Sequence, residues 1–290
     1  MKNKNSLALN NIMTDSIEIV IVLYRCTLTE SVAFQTLTKN LEKISIDYEL
    51  IIYNNDAETS IQEVENYLIV NANANNMLFG AYNFALNRAI ENNKKWLLLL
   101  DQDTIVTIKY LTEVKCFLEN NSLNTKYIAA VPVLKKNDLH LSPIIFSPVF
   151  GPYLSYKPVD NNSDKRRCIS AYNSASLLNV SFMKSIGGFS SKYPLDMQDH
   201  WYFYEFYKSK KHIYIMNCIL EQDLSLLDME NSMSVNRYKI YLQSQRKFAK
   251  ELSVFAQINQ KIQLFKLIVI QLTSPLKRKF LKITFIEFVS

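Results

Sequence analysis

The sequence predicts an α/β protein built on a doubly wound, mainly parallel sheet. Three observations predict it. Short aliphatic runs alternate with polar loops and helical segments, the rhythm of parallel βαβ units. The run Trp96-Leu97-Leu98-Leu99-Leu100 is apolar without a break, which reads as a buried strand with neighbours on both sides. Successive strands also end on polar residues, and parallel strands bring those ends to one sheet edge, where open α/β sheets bind ligands.

The elements follow in order. Ile17 to Leu23 is β-branched and strand-like, and ends at Tyr24-Arg25-Cys26. Ser31 to Leu41 reads as a helix with Val32, Leu37 and Leu41 inward. Glu49 to Tyr53 is a second strand, ending in Asn54-Asn55-Asp56, and Tyr67 to Val70 is a third, followed by an Asn-rich loop to Asn75-Asn76. Gly80 to Asn92 is helical, and the strand Trp96 to Leu100 runs into Asp101-Gln102-Asp103. Thr107 to Asn120 has an apolar stripe of Tyr110, Leu111, Val114, Phe117 and Leu118, and Tyr127 to Val133 is again a strand.

Beyond Leu134 the chain is richer in Pro and Asn. Ile144 to Phe150 reads as an antiparallel or edge strand, and Asp160 to Arg167 as a mobile loop. Ile169 to Leu178 reads as one strand, Val180 to Ile186 as a short helix closed by Gly187-Gly188, Tyr202 to Lys210 as a helix and His212 to Met216 as a strand. Glu221-Gln222-Asp223 is another acidic strand end, and from Asn236 the chain is helical.

Composition excludes several functions. The net charge of +6 over 290 residues is mild and has no concentrated basic stripe, which argues against nucleic acid. The four cysteines are scattered, with no CxxC, which argues against a zinc site or disulfide framework and fits a reducing cytoplasm. With only four glycines there is no GxGxxG and no GxxxxGK[ST]. Residues 1–16 form a polar tail without a signal-peptide core, and no segment reaches the roughly 20 apolar residues of a spanning helix.

Asp101 and Asp103 carry the functional reading. Two carboxylates at a sheet edge, with no Lys or Arg between them, repel unless a positive group joins them, and a divalent cation holding a phosphate suits that place. Arg25, Asn54-Asn55-Asp56 and Asn75-Asn76 end the neighbouring strands. The plain alternative is that strand ends are polar because they are exposed. Further on, Asp196, Asp199 and His200 lie within about one turn of each other. Asp199 suits the N-cap of a helix starting near Trp201, and His200 and Trp201 suit packing as well as a site. The last stretch, 262–289, interleaves bulky apolar residues with Lys277, Arg278, Lys279 and Lys282. That pattern suits a helix on an anionic membrane, or one packed on the catalytic domain or on a second copy in a homodimer.

Three segments resemble family-2 glycosyltransferases of the GT-A fold, in the branch of bacterial rhamnosyltransferases and capsular or O-antigen glycosyltransferases. They are Glu49 to Asp56; the run from Asn75 through Ala81-Tyr82-Asn83 to Trp96 and Asp101-Gln102-Asp103-Thr104; and Asn173-Ser174-Ala175-Ser176 through Gly187-Gly188-Phe189 to Asp196-Met197-Gln198-Asp199-His200-Trp201. An Asp-x-Asp alone occurs by chance in many proteins; the order of the three segments carries the resemblance, over about residues 17–225.

The resemblance implies a Rossmann-like, mainly parallel GT-A sheet with a small antiparallel acceptor-side part and a helical C-terminal extension. Residues 17–104 would form a nucleotide-binding half, 105–230 an acceptor half and 231–290 the extension. It implies an inverting, metal-dependent transfer from a nucleotide-diphosphate sugar, dTDP-rhamnose or a UDP-hexose, to a lipid-linked oligosaccharide at the inner face of the cell membrane. Asp103 would hold Mg²⁺ or Mn²⁺. Asp101 would face the donor's ribose or sugar, and Asn54, Asn55, Asp56 and Asn75 would line the donor site. Asp199 would be the catalytic base, with Asp196, His200 and Trp201 on the acceptor side.

The chain departs from the pattern at Asn54, where relatives carry Asp, at Met77, where they often carry Gly, and at Glu221-Gln222-Asp223, where many carry His. These departures keep open a degenerate glycosyltransferase fold acting as a partner subunit. A sugar nucleotidyltransferase would need a glycine-rich basic loop after the first strand, and Tyr24-Arg25-Cys26-Thr27 has no glycine.

Overall fold

The computed structural model describes residues 14–121, 126–153, 157–159, 167–222 and 233–290. Most of the N-terminal tail, the loop 160–166 and Asp223 therefore lie outside the described residues. The first half runs β1 (Thr14–Leu23), α1 (Val32–Leu41), β2 (Tyr48–Asn54), β3 (Leu68–Asn71), α2 (Met77–Glu91), β4 (Lys94–Asp101) and α3 (Ile108–Asn121). Then come β5 (Tyr127–Lys136), β6 (Leu139–Ser142), β7 (Ile144–Phe146), β8 (Lys157–Pro158), β9 (Cys168–Ser170), β10 (Ser176–Asn179), α4 (Val180–Ser185), α5 (Gln198–Lys208) and β11 (His212–Glu221). The chain closes with α6 (Val235–Leu252), α7 (Val254–Thr273), a 3₁₀ turn at Arg278–Phe280 and α8 (Leu281–Val289).

The main sheet has the order β11-β5-β10-β4-β1-β2-β3, with β6 on β5. β3, β2, β1 and β4 are parallel, β11 is parallel to β5, and β10 runs antiparallel between β4 and β5. Both faces are covered, which explains the unbroken apolar runs. Ile17, Ile19 and Ile21 of β1 and Trp96, Leu98 and Leu100 of β4 pack towards α1 and α3. Val20, Val22, Leu97 and Leu99 point the other way, towards α2, α4 and α5. Each fully buried Leu of β4 contributes about 2 kcal/mol by leaving water. The register sets Val22 opposite Asp101, Leu23 opposite Asn54 and Asn54 opposite Asn71, so the ends of four parallel strands meet at one edge.

The structure differs from the sequence reading in four places. Val32 is exposed, and the inner face of α1 is Ala33, Leu37 and Leu41; Ser31 caps the helix instead, accepting from Phe34 N–H. Residues 169–178 are two strands. β9 joins β7 and β8 in a small antiparallel sheet, and β10 enters the main sheet after a turn in which Ala175 takes φ 60° and donates its N–H to Leu99. The strand at 144–150 stops at Phe146 in a turn closed by Ser147 and Gly151. Helix α5 begins at Gln198 and is entered through Met197 at φ 65°, so Asp199 lies in the first turn and is not the cap.

Helix α6 packs on the small sheet and the 193–197 loop, with Phe248 and Ala249 against Phe146, Cys168, Tyr193 and Met197. Tyr238, Leu242, Leu264 and Phe280 then tie α6, α7 and the closing turn together.

Candidate active site

The site is assembled at the carboxyl edge of the sheet. Asp101 ends β4, and the turn after it is tied down on both sides. Gln102 accepts at its main-chain oxygen from Ala33 N–H and from the Ser31 hydroxyl, and its side-chain oxygen accepts from Tyr24 N–H at 2.8 Å. Thr104 is buried and hydrogen-bonded to Ser174 across the sheet. Asp103 stands exposed between these anchors.

Asp101 takes a hydrogen bond from the Tyr82 hydroxyl at 3.4 Å. Its carboxyl is pushed up from 3.8 to about 7, first by burial and next by the charge of Asp103. Tyr82 lowers it, Asp199 raises it again, and Arg237 lowers it. Asp101 at the end of β4 thus feels both Asp103, two residues on, and Asp199 of α5, 98 residues further along.

Asp199 lies in the first turn of α5 and accepts from the His200 backbone N–H at 2.7 Å. Burial raises its carboxyl, and His200 counters that. The positive end of the helix also faces it. Asp196 accepts two hydrogen bonds from Arg237 of α6, from Nε at 3.2 Å and from Nη2 at 2.8 Å. Burial still raises Asp196, with Arg237 pulling the other way.

His200 shares a 2.7 Å hydrogen bond between Nδ1 and the Ser170 hydroxyl and is stacked on Phe248 with Phe146 at its edge. Burial lowers its pKa, so the ring is held neutral in an aromatic packing role. Trp201 is half-buried and stacks on Tyr193.

At the end of β2, the side chains of the Asn54-Asn55-Asp56 loop are engaged within the chain. Asn54 Nδ2 donates to Thr59 O and to Asn71 Oδ1, and its Oδ1 accepts from Asp56 N–H. Asn55 clips the start of α2, accepting from Asn76 N–H at 2.7 Å and donating to Met77 O at 3.0 Å. Asp56 accepts from Glu58 N–H and the Thr59 hydroxyl. All three are buried, whereas Asn75 is exposed and accepts from Met77 N–H.

Asn83 of α2 locks the chain at Phe189, 106 residues on. Its side chain donates to Phe189 O at 2.9 Å and accepts from Phe189 N–H at 3.0 Å. Gly188 takes φ 80°, and a Cβ there would lie 2.4 Å from Asn83 Oδ1, so the close approach requires glycine.

The sequence reading missed three contacts of the site. Tyr82 and Gln222 were in view, but not their bonds to Asp101 and, from Gln222 Nε2 at 3.2 Å, to Asp103. Arg237 was missed altogether, though it carries a signal: a cation in the first turn of a helix opposes the helix dipole, which points to another partner.

Among the described residues, no group of three or more His, Cys, Asp or Glu is arranged to hold a metal ion alone. The Asp101–Asp103 repulsion still fits a divalent cation, provided phosphate oxygens complete its coordination.

Fold and site together describe a doubly wound α/β protein with its carboxylates gathered at the carboxyl edge of the sheet. No family model and no curated protein matches the chain. Among solved structures, S. aureus TarS aligns with TM-score 0.51 and 12% identity, over 86% of this chain and 42% of its own. This chain thus spans less than half of that one. The mannosyltransferase PcManGT from Pyrobaculum calidifontis, in complex with GDP-Man and Mn²⁺, aligns with TM-score 0.50 and 9% identity, over 94% of this chain and 84% of its own. At such identities the likeness is one of fold, and the fold is the GT-A type found in glycosyltransferases.

Proposed function

We propose that the protein is an inverting, metal-dependent glycosyltransferase. It moves a sugar from a nucleotide-diphosphate donor, dTDP-rhamnose or a UDP-hexose, to a lipid-linked oligosaccharide of a growing surface polysaccharide. One observation carries the reading: Asp101, at the carboxyl edge of a GT-A sheet, feels the charges of both Asp103 and Asp199. The mannosyltransferase of the same fold, which holds GDP-Man with Mn²⁺, supports a nucleotide-sugar donor and a divalent cation.

In this reading Asp199 takes the proton of the acceptor hydroxyl as it attacks the anomeric carbon. Its raised pKa suits a base. A single base with direct displacement inverts that carbon. Asp101 contacts the donor's ribose or sugar, steadied by the Tyr82 hydroxyl. Asp103, with Asp101 beside it, would hold Mg²⁺ or Mn²⁺, which when bound supplies positive charge against the departing diphosphate. Asn54, Asn55 and Asp56 shape the loop, so side-chain contact with the nucleotide at that corner falls to the exposed Asn75. Asp196 positions the acceptor side with Arg237.

The test is a panel of nucleotide-sugars, scored for binding with and without Mn²⁺ and for slow donor hydrolysis. Asp199→Asn should keep donor binding and lose about 10²–10⁴-fold in turnover. Asp103→Asn should lose the cation-dependent part of binding. Unchanged turnover in both variants overturns the proposal. Failure to bind any nucleotide-sugar, with stable co-purification of another transferase, favours the partner-subunit reading instead.

A further inference from the structure

The C-terminal helices are built inside out. On α7 the buried positions include Gln260 and Gln271, while Val254, Phe255, Ile258, Ile262, Phe265 and Val269 are exposed. On α8, Thr284 and Glu287 are buried while Phe285, Ile286 and Val289 face outward. A helix of a water-soluble protein normally does the reverse. The inward polar groups are partly matched: Gln271 Nε2 donates to the Tyr238 hydroxyl, which also bonds Thr284, and Glu287 pairs with Arg246 at 3.3 Å. Gln260 Nε2 has no hydrogen-bond partner among the described residues. Beside the buried Ala256 and Leu264, polar residues are thus turned inward while many bulky apolar residues face outward, over two consecutive helices. Between the helices, Ile258, Ile262, Phe265 and Phe288 line a groove beside Lys261.

Charge selects the occupant. From 254 to 290 the cations are Lys261, Lys266, Lys277, Arg278, Lys279 and Lys282, and the single acid is Glu287, buried against Arg246. Lys266, Arg278, Lys279 and Lys282 are exposed alongside the apolar residues. A second copy docked face to face would set these like charges against each other. No helix among the described residues is long and apolar enough to cross a bilayer. We infer that the outer face of α7 and α8 seats the protein on an anionic lipid surface, with its aliphatic and aromatic side chains in the headgroup boundary and its lysines against lipid phosphates. The inference goes beyond the transferase reading and does not rest on it.

The test is flotation of the full chain with phosphatidylcholine vesicles, with and without phosphatidylglycerol. The protein should float with the anionic vesicles and be released as salt rises. The combined Ile262→Ser/Phe265→Ser/Val269→Ser variant changes only exposed positions and should bind about tenfold more weakly or less. Lys279→Glu/Lys282→Glu should lose the preference for anionic vesicles. No flotation of the wild-type chain at low salt overturns the inference, as does equal flotation with neutral vesicles. Salt-insensitive dimerisation in solution that the triple variant abolishes, without vesicle binding, overturns it in favour of a second copy. UDP binding measured on the same preparations separates the two proposals: its loss with flotation intact strikes only the transferase reading, and the converse strikes only the docking face.

Discussion

Arg237 grips Asp196 with two hydrogen bonds, Nε to Oδ2 at 3.2 Å and Nη2 to Oδ1 at 2.8 Å, and so ties the C-terminal helices to the loop that leads into Asp199. Asp196 is almost fully buried and Arg237 partly exposed. Removing the cation strands a buried carboxylate. Arg237→Met should therefore lower stability by about 1–3 kcal/mol in urea unfolding, discounted from a fully buried pair because Arg237 meets water. Arg237→Met should also lower turnover if Arg237 positions the loop before Asp199, with donor binding unchanged. Unchanged turnover with lowered stability would confine Arg237 to a structural role.

Gln222 Nε2 reaches Asp103 Oδ1 at 3.2 Å from the end of β11, linking the far side of the sheet to the carboxylate pair. The amide steadies Asp103 without adding charge. Gln222→Ala should weaken Mn²⁺-dependent UDP binding by about 2–10-fold, the scale of one typical hydrogen bond. Asp103→Ala should remove that binding. Isothermal titration with and without Mn²⁺ measures both.

Met77 holds φ 56° at the start of α2. The backbone keeps the left-handed shape that glycine adopts freely, with Asn55 and Asn75 bonded to the two sides of the residue. The strain is about 1–2 kcal/mol for an L-residue and greater for a β-branched one. Met77→Val should lower the thermal midpoint, whereas Met77→Gly should hold or raise it. Helix propensity alone makes glycine the worst choice here, so the order of the two variants decides between the accounts.

Glu18 of β1 is buried beneath the sheet near Glu49, Arg88 and Lys94, and its carboxyl is raised from 4.5 to about 7, mainly by burial and next by Glu49. The folded state thus holds the proton more tightly than the unfolded chain. This contribution to stability is whole below about 4.5 and is lost as pH rises through about 7, to a total of about 2–3 kcal/mol. Glu18→Gln should be more stable than the parent above that window and should flatten this part of the slope. Urea midpoints on either side of the window measure it.

Much of the architecture is written in local pattern. The β-branched run of β1 and the unbroken run of β4 specify strands covered on both faces, because nothing polar interrupts them. The polar residues that follow must then lie at the carboxyl edge, which is why the strand-end positions of Asn54 and Asp101 were legible. Where local signals were weak, the reading failed. The segment 169–178 looks like one strand because the turn at Asn173-Ser174-Ala175 has no glycine or proline; Ala175 is held at φ 60° by its bond to Leu99, across the sheet.

Other features were decided by contacts between distant segments. Arg237 finds Asp196, Gln222 finds Asp103, and Asn83 finds Phe189 across separations of 41, 119 and 106 residues, and no periodicity encodes such partners. The same holds for the outward face of α7. Its composition showed apolar and basic residues interleaved, but only packing against α6 and α8 turns Gln260 and Gln271 inward and leaves Phe265 to the outside. Local sequence sets which segments must be buried, since that cost is paid residue by residue; which carboxylate meets which cation depends on how the covered sheet brings its loops together.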